Sequence, residues 1–197
     1  MSKQNLKKSI AKVGYAPITE NDDGTYTYGT VKWFESKVSG GREYTAEPVG
    51  ESTEIYADSI VVFSAEDNNG YDIKLTLLAA IDDVEVEWLG NSKATNGGII
   101  EIARPTPRPI FALIFIEDTT NGIGTTTIYF NCTVSKRPSM SGKTSEGKFE
   151  PQFPEYQIAA RPRPEDKWVR ASLHQNNQFE EIPEITLDKT EATNTGI

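Results

Sequence analysis

Alternation of apolar and polar positions is the main pattern in the middle of this chain, and it predicts half-buried β-strands. In the segment 71–77, YDIKLTL, every second residue is apolar. A longer alternating segment, TTIYFNCTV, covers 126–134. Its pattern predicts that one face of the strand carries Thr126, Ile128, Phe130, Cys132 and Val134. The opposite, polar and aromatic face is predicted to carry Thr127, Tyr129, Asn131 and Thr133.

Further strands are predicted where β-branched and aromatic residues cluster between turn residues. Tyr26–Phe34 follows Asp22-Asp23-Gly24, a combination typical of a hairpin turn. The segments Ile99–Ile102 and Ile110–Ile116 are rich in β-branched residues and predict central strands. Two shorter strands are predicted at 156–160 and 168–173.

One segment has helical periodicity. Ile81, Val84, Trp88 and Leu89 fall on one face at helical spacing, and Gly90 lies where a C-terminal cap belongs. The residues from Val84 onward also alternate, so a strand is the alternative for this segment. With a single short helix among many strands, the sequence predicts a mainly β fold in which two sheets pack on each other.

Three polar stretches separate or follow these elements. Residues 35–51 and 138–154 are rich in Ser, Gly, Lys and Glu, and they predict long connections. From Gln175 onward the sequence is polar and acidic, and most of it is expected to be flexible in an isolated copy. The predicted organisation is therefore a single β-rich domain at 1–174, with a basic N-terminal arm, and a polar tail at 175–197.

Residues suited to catalysis or metal binding are few. The sequence has one cysteine, Cys132, and one histidine, His174, which exclude a disulfide within the chain and a cysteine- or histidine-rich metal site. No carboxylate, serine or lysine lies in a recognisable catalytic motif. We therefore predict no catalytic, cofactor-binding or metal-binding residues and no enzyme activity.

Two loops match ligand-binding motifs only in part. Gly142-Lys143-Thr144 lacks the glycine that a phosphate-binding loop requires five residues earlier, where this chain has Arg137. The segment 67–70, DNNG, lacks the preceding acidic residue and the later glutamate of a calcium loop. It predicts a tight turn between two strands instead.

Aromatic residues near position 33 raise two further hypotheses. The segment 29–34, GTVKWF, is similar to the opening strand of cold-shock domains, whose aromatics stack on single-stranded bases. The glycine and aromatic pattern of the following cold-shock strands is missing. Exposed Trp33, Phe34 and Tyr44 would instead suit a β-sandwich module that binds carbohydrate or a surface. That module is the main alternative function.

The charge pattern argues against nucleic-acid binding. The chain has 20 basic and 29 acidic residues and a net charge of −9, whereas binding to phosphates needs a surplus of Lys and Arg. Residues 51–117 hold 12 acidic and 4 basic residues, while the first 19 residues have only lysines as charged groups. Two explanations fit this pattern. The charges can simply form a solvated surface, or the basic arm can be attracted to the acidic body of a neighbouring copy. No apolar run is long enough for a membrane-spanning helix, and no signal peptide is predicted.

Several short motifs, none specific alone, occur in an order and spacing that resemble one protein family. They are Val13-Gly14-Tyr15-Ala16, 23–26 (DGTY), Tyr56-Ala57-Asp58, 68–71 (NNGY), Trp88-Leu89-Gly90, 111–115, 129–132, Arg137-Pro138, 142–144, 150–152 (EPQ) and 158–163. Together they cover most of residues 13–163. The family is the major tail protein, or tail tube protein, of long non-contractile-tailed phages that infect Gram-positive bacteria.

The resemblance implies a two-sheet β-sandwich or barrel-like fold with one short flanking helix and extended loops or arms. It implies a structural subunit that forms hexameric rings, which stack into a tube whose channel conducts DNA during ejection. The implied partners are further copies and the tape-measure, tail-terminator or distal tail proteins, with no membrane. The implied locations are the virion tail and, during assembly, the host cytoplasm. An excess of carboxylates suits such a channel, because like charges do not hold phosphate.

Overall fold

The computed structural model describes residues 6–57, 60–103, 107–139 and 151–187, with the backbone alone for 52–57 and 60–66. Within these ranges the chain forms thirteen strands and one helix. They are β1 (Lys7–Glu20), β2 (Tyr26–Tyr28), β3 (Lys32–Trp33), β4 (Gly41–Pro48), β5 (Ser52–Ala57), β6 (Ile60–Glu66), β7 (Tyr71–Leu77), α1 (Asp82–Leu89), β8 (Ser92–Lys93), β9 (Ile99–Ile100), β10 (Phe111–Thr119), β11 (Thr125–Lys136), β12 (Glu155–Ala160) and β13 (Arg170–Leu173). The prediction of a mainly β fold with one short helix is confirmed.

One antiparallel sheet contains most of these strands, in the order β2-β1-β10-β11-β12-β7-β4. Strand β11 pairs with β10 along one edge, and its other edge is shared between β13, at Thr126–Tyr129, and β12, at Cys132–Lys136. The sheet curls until β4 returns to β1, where a Cβ added to Gly41 would lie 2.4 Å from Val13 Cγ2. Two halves of one curled sheet therefore face each other across a core, as the layers of a sandwich do.

The core between these halves is apolar and rich in aromatic residues. The Trp88 ring stacks on Phe111 at 4.3 Å and meets the edges of Tyr15 and Tyr156 at 5.3 and 5.6 Å. Trp88 is 1% exposed, so helix α1 closes one end of the core with its largest side chain. Truncation of so buried an aromatic costs about 3–5 kcal/mol.

Helix α1 forms where the periodicity predicted it, and the alternative of a strand is wrong. Val84 and Trp88 are its buried residues. Gly90 ends the helix in the left-handed region, with φ of 72°, and its N–H donates to the Val86 carbonyl at 3.0 Å. The Arg137 guanidinium donates to the Leu89 carbonyl at 3.1 Å, which ties β11 to the end of the helix.

The outer side of β1, β10 and β11 carries a second apolar cluster. Its buried members are Ala16, Val31, Ala112, Ile114, Ile128 and Phe130. The Trp33 indole N–H donates to the Phe179 carbonyl at 2.9 Å, and the Val31 N–H donates to Glu180 at 2.7 Å. With Ile182 and Ile185, this part of the tail therefore packs over the cluster. Flexibility of the 175–197 tail as a whole stays a prediction, and 188–197 lie outside the described residues.

The predicted face of β11 is wrong beyond Phe130. Ile128 and Phe130 belong to the outer cluster, whereas Cys132 and Val134 lie in the inner core with Tyr129. The register explains the change of side, because Leu113 pairs with Tyr129 but Phe111, two residues earlier, pairs with Cys132. One extra residue in β11 forms a bulge, which moves the following side chains to the other face.

Three predicted segments also differ in the structure. Residues 35–51 are not only a connection, because β4 forms there and pairs with β7. Ile99–Ile102 is no central strand, because Gly97 and Gly98 turn the chain into a two-stranded hairpin of β8 and β9. Tyr26–Phe34 divides into β2 and β3.

Both predicted turns are present. Gly24, with φ of 80°, lies between β1 and β2, and Gly70, with φ of 113°, joins β6 to β7. A Cβ at Gly70 would lie 2.0 Å from the Ala160 carbonyl oxygen, so this turn requires glycine. The segment 142–144 and Asp58 lie outside the described residues. In the described part of the chain, no helix has the length and apolar character needed to cross a membrane.

Candidate assembly surface

The outer side of the curled sheet has two halves with opposite character. One half is the covered cluster on β1, β10 and β11. On the other half, strands β4, β7, β12 and the end of β11 alternate between buried and outward residues. We call this second surface the open face. Its outward residues are Glu43, Thr45, Glu47, Asp72, Lys74, Thr76, Thr133, Lys136, Glu155 and Gln157.

The strand register arranges the open face in rows across the sheet. The middle row joins Thr45, Lys74, Gln157 and Lys136 on four successive strands. The row on one side pairs Glu43 with Thr76 and Thr76 with Glu155, and the row on the other side pairs Glu47 with Asp72 and Asp72 with Ala159. Neighbouring rows lie on the same face of the sheet, close enough for their longer side chains to contact each other.

This face is polar, shallow and exposed to solvent. Its deepest part is a depression of about 170 Å³ that Glu47, Asp72, Lys74, Ser135 and Gln157 line together with buried neighbours. No described element packs over it, so β7 and β12 show one face to the core and one to water. That arrangement is typical of an antiparallel sheet with a solvated side.

Its charges are mixed, with an acidic excess. Four carboxylates, at Glu43, Glu47, Asp72 and Glu155, accompany the amines of Lys74 and Lys136. Asp72 also pairs with Arg161 at 2.8 Å, where the two side chains are 61% and 41% exposed. Solvent screens so exposed a pair, which therefore contributes little to stability. A phosphate chain that passed over this face would meet no continuous basic patch.

The predicted acidic region 51–117 does not form one surface. Of its described strands in the main sheet, β7 contributes Asp72 to the open face. Asp82, Asp83, Glu85 and Glu87 belong to helix α1, at the end of the core. Glu117 is only 6% exposed and accepts a hydrogen bond from the Tyr44 hydroxyl at 2.8 Å. These six acidic residues are therefore divided between the open face, the helix and a buried site, while Glu51, Asp67 and Glu101 are exposed elsewhere.

The basic arm begins with an ion pair inside its own chain. Lys7 Nζ lies 2.5 Å from Glu117 Oε2, so one lysine of the arm neutralises this buried carboxylate. Burial and the hydrogen bond to Glu117 raise the pKa of the Tyr44 hydroxyl. On the same strand, Lys8 is exposed and Lys12 is half-buried.

The aromatic residues considered for carbohydrate or base stacking are packed in the structure. Phe34 is 4% exposed, and Trp33 meets Phe179 edge-on at 5.4 Å. Tyr44 stacks on Phe115 at 3.9 Å, inside the curl of the sheet. These three side chains therefore form no exposed aromatic platform.

The groups with reactive side chains are also accounted for. Burial raises the pKa of the Cys132 thiol, because the surrounding core disfavours the thiolate. His174 is exposed at the end of β13. Among the residues that the structure describes, no three His, Cys, Asp or Glu side chains gather as ligands for a metal ion.

No protein-family model matches the sequence. No curated protein matches it either. The function is therefore inferred from the fold, from the two outer faces and from the order of the sequence motifs.

Proposed function

We propose that this chain is the structural subunit of a phage tail tube. In this proposal, copies form hexameric rings, the rings stack, and DNA passes through the central channel during ejection. The observation that carries the proposal is the open face, a four-stranded polar surface on a sheet whose remaining outer side is sealed. The hexameric ring and the stacked tube are inferred from the order of motifs, which resembles that of major tail proteins.

The open face has the properties that a channel wall needs. The open face spans four strands, and its acidic, basic and neutral side chains are interspersed. A polyanion therefore meets no continuous group of cationic side chains that would hold it. Its carboxylates repel phosphate, while Lys74 and Lys136 are too few to neutralise a DNA strand. DNA would slide past without adhesion, and the covered cluster would then lie on the outside of the wall.

A ring also needs two different contact surfaces on each copy, because a closed cycle joins copies head to tail. Among the described strands, β4 lies at one end of the sheet order and pairs with β7 alone. Its Gly41 end approaches β1, but no described strand forms a hydrogen-bonded ladder with its other edge. Unpaired strand edges readily accept another strand. We place the contact between neighbours in a ring at this edge.

The proposed partners and locations follow from the same resemblance. Further copies are the main partner, and the tape-measure, tail-terminator or distal tail proteins would bind within or at the ends of the tube. The chain would act in the virion tail after assembly in the host cytoplasm. It would use no cofactor and catalyse no reaction.

Concentration-dependent assembly tests this function. We expect the purified chain to form tubes of uniform width in negative-stain electron microscopy as its concentration rises. A monomer at every concentration that binds a glycan array would contradict the proposal and favour the carbohydrate-binding alternative.

The role of the open face has its own test. Glu47→Lys combined with Asp72→Lys should leave tubes intact but slow DNA ejection from particles that carry the variant, because the channel would gain phosphate-binding charges. Glu184→Lys, an exposed change on the tail, is the matched control. Normal ejection by the double variant would contradict a channel wall made of this face.

A further inference from the structure

An open cavity lies at the end of the core that helix α1 closes. It has a volume of about 370 Å³, more than ten times the ~30 Å³ share of one water molecule. Of its apolar lining, Tyr15, Phe34 and Val84 are almost fully buried, Ile81 is half-buried and Val38 is 60% exposed. An entering apolar side chain would therefore pack mainly on Val38 and Ile81.

The mouth of this cavity has excess negative charge. The charged residues that line it are Lys32, Glu35 and Asp83. Lys32 pairs with Glu87, and Asp83 Oδ1 lies 2.6 Å from Lys93 Nζ, so both are neutralised within the chain. Glu35 has no ion pair among the described residues, so the lining carries one unpaired carboxylate and favours a cationic partner.

The opposite end of β1 presents two exposed apolar residues. Leu6, 58% exposed, precedes β1, and Ile123, 53% exposed, lies in the turn between β10 and β11. Backbone hydrogen bonds join these segments, because the Thr120 N–H donates to the Leu6 carbonyl at 2.9 Å. We call this end, with Leu6, Lys8 and Ile123, the apex.

The apex and the cavity cannot meet within one copy. Nine residues of extended chain, about 30 Å, separate Leu6 from Tyr15. The nearer wall of the cavity, where the Phe34 N–H donates to the Val13 carbonyl, is still seven residues along β1 from Leu6. A projection at one end of a subunit and a complementary cavity at the other produce a contact that repeats from copy to copy without closing. Such a contact extends an assembly along the strand direction.

We propose that the apex of one copy inserts Ile123 and Leu6 into the α1 cavity of a copy in the next ring. The inference rests on the proposed tube and assigns the contact that stacks its rings. Apolar side chains enter the cavity beside Val38 and Ile81, while Lys8 approaches the carboxylate of Glu35. The occupant is a second copy because this chain itself provides both the apolar residues and the charge that fit the mouth.

Cross-linking between single-cysteine variants tests the contact. The native Cys132 is fully buried and does not compete for a thiol reagent. We expect Val38→Cys mixed with Ile123→Cys to give a covalent dimer in assembled tubes with a short bis-maleimide reagent, and neither variant alone to do so. Val38→Cys mixed with Ile100→Cys, which changes a similarly exposed isoleucine on β9, is the control and should give none.

A second pair of variants tests whether the contact drives stacking. Ile123→Asp and Val38→Asp should each raise the protein concentration needed for tubes by about tenfold or more, since each places a charge in an apolar contact. Ile100→Asp should leave that concentration unchanged, and circular dichroism should show a native fold for all three. If tubes form but Val38→Cys and Ile123→Cys give no cross-linked dimer, or the control pair gives as much dimer, this contact is wrong and the proposed function still stands. A wild-type chain that never assembles would overturn both.

Discussion

The covered half and the open half of the sheet are built from neighbouring strands, yet they differ in what lies outside them. On the covered half, β10 is apolar at successive positions, with alternate side chains in the inner core and in the outer cluster. On the open half, β7 alternates between buried apolar residues and outward polar ones. The apolar pattern of a strand therefore indicates whether one or both of its faces are buried.

We therefore assign the stability of the fold mainly to the covered half and the function in the assembly to the open half. The covered half holds the tail against the domain and should dominate the free energy of unfolding. The open half is solvated, so its residues can be substituted with little effect on the free energy of unfolding. In the proposed tube, the DNA that passes over this face constrains which residues it can carry. Four predictions test this separation, from the largest expected effect on unfolding to the smallest.

Removal of residues 175–197 should destabilise the domain most. It deletes Phe179, Ile182 and Ile185, which pack on the outer cluster, and exposes the residues beneath. At about 1.5–3 kcal/mol for each fully buried side chain, the loss for these partly buried ones is roughly 5 kcal/mol. Denaturant unfolding measures it, with removal of 188–197 as the control. Equal stability of both truncated chains would mean that the tail does not seal this face.

Phe130→Ala should cost about 3–5 kcal/mol, because the ring is 2% exposed beneath Trp168 and Arg163. The control is Thr133→Ala, three residues further along β11 but on the open face, with an expected change within about 0.5 kcal/mol. Both are read from the midpoint of urea unfolding at constant slope. Similar losses at the two positions would contradict the division of β11 by its bulge.

Arg163→Lys should cost about 2 kcal/mol, because the guanidinium donates to both oxygens of Asp166 and stacks on two rings, which an ammonium cannot reproduce. The hydrogen bond from Arg163 lowers the pKa of Asp166. A lowered carboxyl pKa stabilises the fold above the ordinary value of about 3.9, and this contribution is lost as pH falls through the lower, folded value.

The acid limb of the unfolding curve shows this directly. Wild type should lose stability below about pH 4 more steeply than Arg163→Lys, which has less of this contribution to lose. Asp72→Asn, which breaks the exposed pair with Arg161, is the control and should change stability by about 0.5 kcal/mol or less. Parallel acid limbs for wild type and Arg163→Lys would contradict the role of Asp166.

Glu47→Gln combined with Asp72→Asn should change the free energy of unfolding least, within about 0.5 kcal/mol, because both carboxylates lie on the solvated face. Removing these like charges relieves their repulsion but also breaks the exposed Asp72–Arg161 pair, and both effects are small. Thermal unfolding measures the change. A loss of more than about 2 kcal/mol would show that the open face contributes to folding, against the separation of the two halves.

Sequence patterns predicted the elements in which local periodicity and burial agree. Strand β7 alternates because one of its faces is solvated, and α1 shows both its buried residues and its terminal glycine. The bulge in β11 was missed because alternation continues through it without interruption. Strand β4 was missed because GREYTAEP presents only Tyr44 and Ala46 to the core among polar and turn-forming residues.

The surfaces were harder to predict than the strands. Lys74 and Asp72 were identifiable as outward residues, but their neighbours on β4 and β12 are distant in sequence. The α1 cavity and the apex also depend on contacts between distant segments. The tail was expected to be polar and flexible since Phe179, Ile182 and Ile185 are scattered among polar residues, with no periodicity to mark a packed face.

The most direct test of the central claim is a cryo-electron microscopy reconstruction of the assembled chain. We expect stacked sixfold rings in which β4, β7 and β12 face the channel with Glu47, Asp72 and Lys74 at its surface, and the covered cluster faces outward. A chain that remains monomeric at every concentration, or a tube with the open face on its exterior, would contradict it.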